Sequence, residues 1–114
     1  MKTVILTEEQ SVRPFAMEMI VGEQLPVTVL LKYPPDSADW VASDGLTIVN
    51  TSIIGREVCC LVKANEPAMN TYSVNAYTEL VCTTYTTAHS DPHHAESYQR
   101  KFIVNIKVNS DVNP

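Results

Sequence analysis

The end of the chain carries its clearest pattern. Phe102, Val104, Ile106 and Val108 alternate with Ile103, Asn105 and Lys107, a period of two. Upstream, Tyr72, Val74 and Ala76 alternate in the same way with Ser73, Asn75 and Tyr77. Successive strand residues point to opposite faces, so the two runs predict neighbouring antiparallel strands with one face in a core. Earlier segments follow suit. Residues 3–7 predict a first strand, and 12–21 an extended piece with Phe15, Met17 and Met19 on one face and Glu18 on the other. Val27, Val29 and Leu31 alternate against Thr28, Leu30 and Lys32 in a strand over 25–33, which Pro34-Pro35-Asp36-Ser37 stops. Short strands follow at 38–42, around Trp40, and at 46–49; Ile53-Ile54-Gly55 leads into one at 57–64. The penultimate strand is expected at 71–83 and the last at 98–108. No segment has a helical period, although 7–11 can form one short turn. Short strands separated by Gly, Pro, Asn or Asp predict an all-β sandwich of seven to nine antiparallel strands.

With 114 residues the chain reads as one domain. Residues 1–11 form an N-terminal extension and 109–114 a fraying tail. A domain of this size buries a core without disulfides to hold it. The core is expected to hold Trp40, Tyr72, Val74, Phe102, Val104 and Ile106. Tyr72 is placed where a buried ring with a bonded hydroxyl pins a corner.

Charge removes one class of function. The formal net charge is −5, and Arg100-Lys101 is the sole adjacent basic pair. Nucleic-acid binders carry a basic stripe because phosphate contacts dominate their affinity, so that role is not expected. No run approaches the ~20 apolar residues of a membrane span, and no secretory leader is seen. A virion or cytoplasmic location is the expectation. Three cysteines fit it, since an odd number cannot pair off within one chain. Cys59 and Cys60 are adjacent and point to opposite faces of a strand, one as a small buried hydrophobe and one as an outward thiol. The sequon Asn50-Thr51-Ser52 is expected to stay idle in such a compartment.

One cluster has the residue types for chemistry: His89, Asp91, His93, His94 and Glu96. Imidazole and carboxylate suit divalent transition metals, so the three histidines are candidate ligands. Their spacing lacks the helical His-Glu-x-x-His form, and a solvated hairpin tip explains them as well. No cofactor is expected. Gly-x-Ser-x-Gly and phosphate-cradling glycine loops are absent, so no catalytic set is expected and the chain reads as non-enzymatic. The run Thr83-Thr84-Tyr85-Thr86-Thr87 is rich in strand-forming residues. It predicts a hairpin arm over 83–97 that extends past the sandwich. Thr84, Tyr85, Thr86, Thr87, His89, Asp91, His93 and His94 are then candidate contacts for a protein partner, either a larger symmetric assembly or copies of this chain. Residues 1–11 are the second candidate surface, by strand addition to a neighbour's sheet edge.

The order Val21-Gly22-Glu23, lone Trp40, the strand at 58–64, Tyr72-Ser73-Val74-Asn75-Ala76 and the closing strand resembles bacterial and phage immunoglobulin-like domains over residues 20–108. That resemblance implies an immunoglobulin-like interaction module, with a capsid decoration protein as the expected function and a cell-surface adhesion module as an alternative. The Val21-Gly22-Glu23 step and Phe102-Ile103-Val104-Asn105-Ile106-Lys107-Val108 are also similar to chagasin-like inhibitors of cysteine peptidases. Inhibition by a loop wedge is therefore the other alternative. Two of that family's loops differ here. Tyr33-Pro34-Pro35-Asp36-Ser37-Ala38-Asp39 stands in place of Asn-Pro-Thr-Thr-Gly, and a His-rich tip in place of Arg-Pro-Trp.

Overall fold

Alternating apolar residues leave each strand one face to bury, and two sheets stacked face to face bury them all. The computed structural model describes residues 2–65, 77–91 and 94–109, with backbone alone at 88–91 and 94–95. Its strands are β1 (Val4–Thr7), β2 (Phe15–Ile20), β3 (Gln24–Leu30), β4 (Ser37–Ala42), β5 (Leu46–Ile54), β6 (Glu57–Ala64), β7 (Thr78–Asp91) and β8 (His94–Asn109). They form two four-stranded sheets, ordered β1-β3-β6-β5 and β2-β8-β7-β4. The expected all-β sandwich is what the chain adopts. No helix among the described residues is long and apolar enough to cross a membrane.

The core is the meeting of the two inner faces. Leu25, Val27 and Val29 of β3 and Val58, Cys60 and Val62 of β6 face Leu80 and Cys82 of β7 and Phe102, Val104 and Ile106 of β8, and all are buried. Each large apolar side chain so buried contributes about 1.5–3 kcal/mol before chain entropy is set against it. Trp40 is half-buried and packs against this cluster from β4. Tyr72 and Val74, expected in the core, lie outside the described residues, as does the first part of the strand expected at 71–83.

Three boundaries differ from the sequence expectation. The short turn expected at 7–11 is a 3₁₀ turn, Glu8–Val12, and the extended piece expected at 12–21 is the shorter β2. The Thr7 amide donates to Gln10 Oε1 at 2.8 Å, so a Thr-x-x-Gln capping box starts the turn. This turn carries the chain from one sheet to the other. As a result β1 pairs in parallel with β3, and β2 in parallel with β8, where antiparallel neighbours were expected throughout. Residues 4–7 are therefore an edge strand of the molecule's own sheet, paired with β3 on one side, and Val4 and Leu6 are buried there. Second, β5 is one strand, not two pieces. A bulge between Ile48 and Asn50 shifts its register, which broke the alternation in the sequence. Third, β8 begins at His94, earlier than 98, because it stays paired with β7 to the Asp91↔His94 step.

β4 pairs with β7 only as far as Ser37↔Tyr85. Beyond that point β7 and β8 continue as a two-stranded ribbon from Thr86↔Tyr98 onward. The ribbon gives the molecule a long axis of 62 Å against 24 and 18 Å across.

Candidate functional site

Strand direction gathers several connections at one end of the sandwich. β3 runs toward this end and β4 leaves it, so the link 31–36 lies there. β5 and β6 turn there, β7 and β8 project from it as the ribbon, and the 3₁₀ turn closes it from the β1 side. The opposite end holds the turns at Gly22 and Gly45.

Each link is built to be stiff. Gly55 and Arg56 are the two residues between Ile54 and Glu57, a pair in the β5–β6 ladder. Two-residue hairpins need a left-handed first residue, and Gly55 supplies φ 60°. A Cβ there would meet nothing within 4 Å, so backbone conformation alone asks for glycine. In the 31–36 link, Pro34 and Pro35 fix φ and remove two donors. The link is pinned at both ends. Leu31 N donates to Arg56 O at 2.9 Å, and Asp36 N to Tyr85 O at 2.7 Å. Thr87 Oγ1 also donates to Asp36 Oδ2 at 2.6 Å. The β3–β4 link, the β5–β6 turn and the ribbon root are thus one hydrogen-bonded unit.

Its surface mixes exposed apolar side chains with the charges of Lys32, Asp36, Arg56 and Glu57. Val12 is 81% exposed, Ile54 64%, Tyr33 49% and Ile53 44%. Clustered apolar exposure at one end marks an interaction surface more often than scattered exposure does. Leu30, Glu57 and Ile54 follow one another across neighbouring strands at this end.

Behind this rim the interior turns polar. Thr84 and Thr86 are buried; the Thr84 Oγ1 and Glu8 Oε1 have no hydrogen-bond partner, while the Thr86 hydroxyl lies against that of Tyr98. A buried polar atom without a partner costs about 1–3 kcal/mol. Tyr98 lies close to Thr86, Glu8 and Tyr33, and Arg100 Cζ sits 4.4 Å from its ring centroid. Burial pushes the Tyr98 hydroxyl above its usual pKa; Glu8 and Tyr33 add to this while Arg100 and Thr86 oppose it. Between the 31–36 link and the ribbon lies an open cleft of about 300 Å³, bordered by Asp36, Tyr85, Thr86, Thr87 and Tyr98.

The residues expected to touch a partner separate into two groups. Tyr85 and Thr87 face outward, but Thr84 and Thr86 face inward and are buried, which corrects their place on a contact surface. The physical reason is that the sandwich interior reaches past the apolar core to the ribbon root, and residues two apart share a face. His89, Asp91 and His94 stand in the ribbon ladder, with side chains outside the described residues; His93 lies wholly outside them. Among the described residues no three His, Cys, Asp or Glu side chains gather to hold a metal. The stretch 33–39 was legible as the counterpart of an inhibitor loop, whereas Ile53-Ile54-Gly55 read only as the lead into the next strand. The available signal was a Pro-Pro-Asp link and an Ile-Ile-Gly-Arg turn ending on the side from which the threonine-rich strand emerges.

The thiols offer no nucleophile at this end. Burial pushes Cys60 up to about 12, with Cys59 adding to it, and Cys82 likewise up to about 12. A raised pKa means the folded state holds the proton longer. These thiols therefore stabilise the fold fully below the unfolded value of 9.0, and that stabilisation is lost as pH rises toward 12. Cys59 is half-exposed on the outer face. With an aromatic disulfide reagent at pH 8, one thiol per chain is expected to react before unfolding and the other two only after denaturant is added. Three fast thiols would contradict this burial.

No protein-family model matches the sequence, and no curated protein matches it. Among solved structures, PbICP-C in complex with falcipain-2 is similar at 12% identity and a TM-score of 0.58, over 95% of this chain and 99% of that one. The cysteine protease inhibitor EhICP2 from Entamoeba histolytica is similar at 10% identity and a TM-score of 0.53, over 92% and 95%. At such identities the likeness is one of fold. It nonetheless overturns the capsid decoration reading, because the structures similar over the whole length include an inhibitor and a chain captured with falcipain-2. It also moves the resemblance from bacterial and phage immunoglobulin-like domains toward the inhibitor-type sandwich.

Proposed function

We propose that this chain is a protein inhibitor of cysteine peptidases that docks by the end carrying the 31–36 link, the Gly55-Arg56 turn and the ribbon root. The observation that carries the reading is the match of the entire fold to the PbICP-C chain bound to falcipain-2. The geometry supports it. Three links tied to one another by hydrogen bonds form a stiff edge that carries exposed apolar side chains. A stiff edge loses little entropy on entering a cleft, and this raises affinity without new contacts. Blocking a cleft needs no catalytic group on the blocker, which agrees with a chain whose described interior thiols are kept protonated. The links differ in sequence from the chagasin-like loops. Tyr33-Pro34-Pro35 and Ile53-Ile54 take the role of the contact residues here, so the peptidase range is expected to differ from that family's.

A panel of papain-type peptidases titrated with the purified chain tests this. Reversible inhibition of at least one member at micromolar protein, with the chain left uncleaved, is the expected result. A panel wholly uninhibited at that concentration contradicts the reading.

A further inference from the structure

We propose that the open edge of β5 pairs with the same edge of a second copy of this chain, joining two molecules across a twofold axis at Ser52. The pairing goes beyond the inhibitor reading and does not depend on it.

β5 is the outer strand of its sheet, with β6 on one side only. The ladder with β6 dictates which main-chain groups it leaves over. Gly22 N donates to Ala64 O at 2.7 Å, Ala64 N to Glu23 O at 3.0 Å, and Leu31 N to Arg56 O at 2.9 Å. Even-numbered residues of β6 thus turn toward β3, and by alternation Glu57, Cys59 and Leu61 turn toward β5. Their partners there are Ile54, Ser52 and Asn50. Thr51 and Ile53 are left with their N–H and C=O groups on the open side. Antiparallel pairing about Ser52 sets Thr51 opposite Ile53 of the second copy, and Ile53 opposite its Thr51. Both pairs then exchange two hydrogen bonds each. A centre at Thr51 runs into the bulge at Ile48/Asn50, and a centre at Ile53 runs off the strand, which ends at Ile54.

Charge identifies the occupant as a second copy. The 9 residues Leu46–Ile54 include no charged side chain, in a chain of net charge −5 whose copies repel elsewhere. The edge strands β2 and β4 carry Glu18 and Asp39, and β1 is only 4 residues long. Like charges set opposite each other destabilise a cross-strand pair, so β5 is the edge that meets its own copy without that penalty. A charged segment of another protein finds no counter-charge there. The side chains agree with self-pairing. Thr51 and Ile53 are β-branched and stack well across strands, while Ser52 meets its own copy at the axis. Ile53 is 44% exposed and Ile54 64% in the single chain, and both lose water in the pair. Because one edge serves both molecules, the contact closes at two copies and builds no filament. The interface is small, so the association is weak. Ile53 and Ile54 also border the docking end, so a peptidase is expected to meet the monomer.

Sedimentation equilibrium of the purified chain tests the pairing. The weight-average mass is expected to climb from 12.7 kDa toward twice that value between about 10 µM and about 1 mM. Thr51→Lys brings an ammonium into each half of the pair, and Thr51→Pro removes an N–H that β6 does not use. Thr51 is exposed, so both variants are expected to keep the parent's circular dichroism and to weaken association at least about tenfold. Ser52→Cys in a Cys59→Ser background reads the register. Mild oxidation is expected to link the introduced thiols into a covalent dimer, whereas Asn50→Cys in the same background stays monomeric. A mass fixed at 12.7 kDa over that range, association untouched by Thr51→Lys, or cross-linking as fast at 50 as at 52 overturns the proposal. Thr51 lies outside the docking end, so pairing and peptidase inhibition are read separately: a monomeric chain that inhibits overturns the pairing alone, and a pairing chain that inhibits nothing overturns the docking reading alone.

Discussion

Tyr33→Ala combined with Ile54→Asp weakens inhibition by at least roughly thirtyfold, the equivalent of ~2 kcal/mol, while leaving the melting temperature nearly unchanged. Both halves follow from exposure. Tyr33 and Ile54 are 49% and 64% exposed in the free chain, so truncating them removes little native packing. Substitutions of this kind on a free surface usually move stability by less than about 0.5 kcal/mol. In a complex the same side chains lose their water and fill partner pockets, and buried aromatic and aliphatic anchors are where interface energy concentrates. The Ile54→Asp change also brings a carboxylate beside Glu57, adding a second negative charge to an edge that must enter a cleft. Measured inhibition constants, with thermal melts run alongside, check the pair. A double variant that inhibits as well as the parent places the contact surface elsewhere.

Phe102→Ala has the opposite profile. Phe102 is 1% exposed and among the largest fully buried side chains. It pairs with Cys82 across β7–β8, in the middle of the core. Truncation removes transfer energy and leaves a cavity, together about 3–5 kcal/mol. A domain of this size has about 5–15 kcal/mol in total, so the variant stays folded in the cold with a melting temperature lowered by roughly 10 °C or more. Lys101→Ala, one residue away on the exposed face, serves as the control and is expected to shift the melt by little. At a temperature where Phe102→Ala is folded, its inhibition constant should stay near the parent's, because Phe102 itself is buried and presents no surface at the docking end. A small melting shift would mean the site collapses onto itself more readily than a packed sandwich allows.

The parts of the fold that the sequence made legible are those where one physical rule acts alone. β3, β6 and the second half of β8 alternate cleanly because each has one face in the core and one in water. The threonine run carried the correct message that β7 continues beyond the sandwich body, since strand propensity and pairing with β8 point the same way. Legibility failed where a local device breaks the period. The bulge at Ile48/Asn50 flips the inward set of β5 and made one strand look like two. The short turn at 8–12 was legible, but not its consequence, that it carries the chain to the other sheet and makes β1 and β2 pair in parallel. The docking end was hidden for a different reason. It is assembled from residues 31–36, 53–56 and 85–98, which are distant in sequence and joined by hydrogen bonds that no linear pattern announces. Composition drew attention to the histidines because they are chemically conspicuous. The structure draws it instead to Tyr33, Asp36 and Ile54, ordinary residues made significant by where the strands deliver them.

Amide hydrogen exchange of the chain alone and in complex with the peptidase it inhibits most strongly tests the central claim most directly. The account predicts slowed exchange at 31–36, at 55–56 and along the ribbon root, with the turns around Gly22 and Gly45 unchanged. Protection confined to those turns, or to the β5 edge, would show that the peptidase meets a different face of the molecule and that the end described here is not its docking surface.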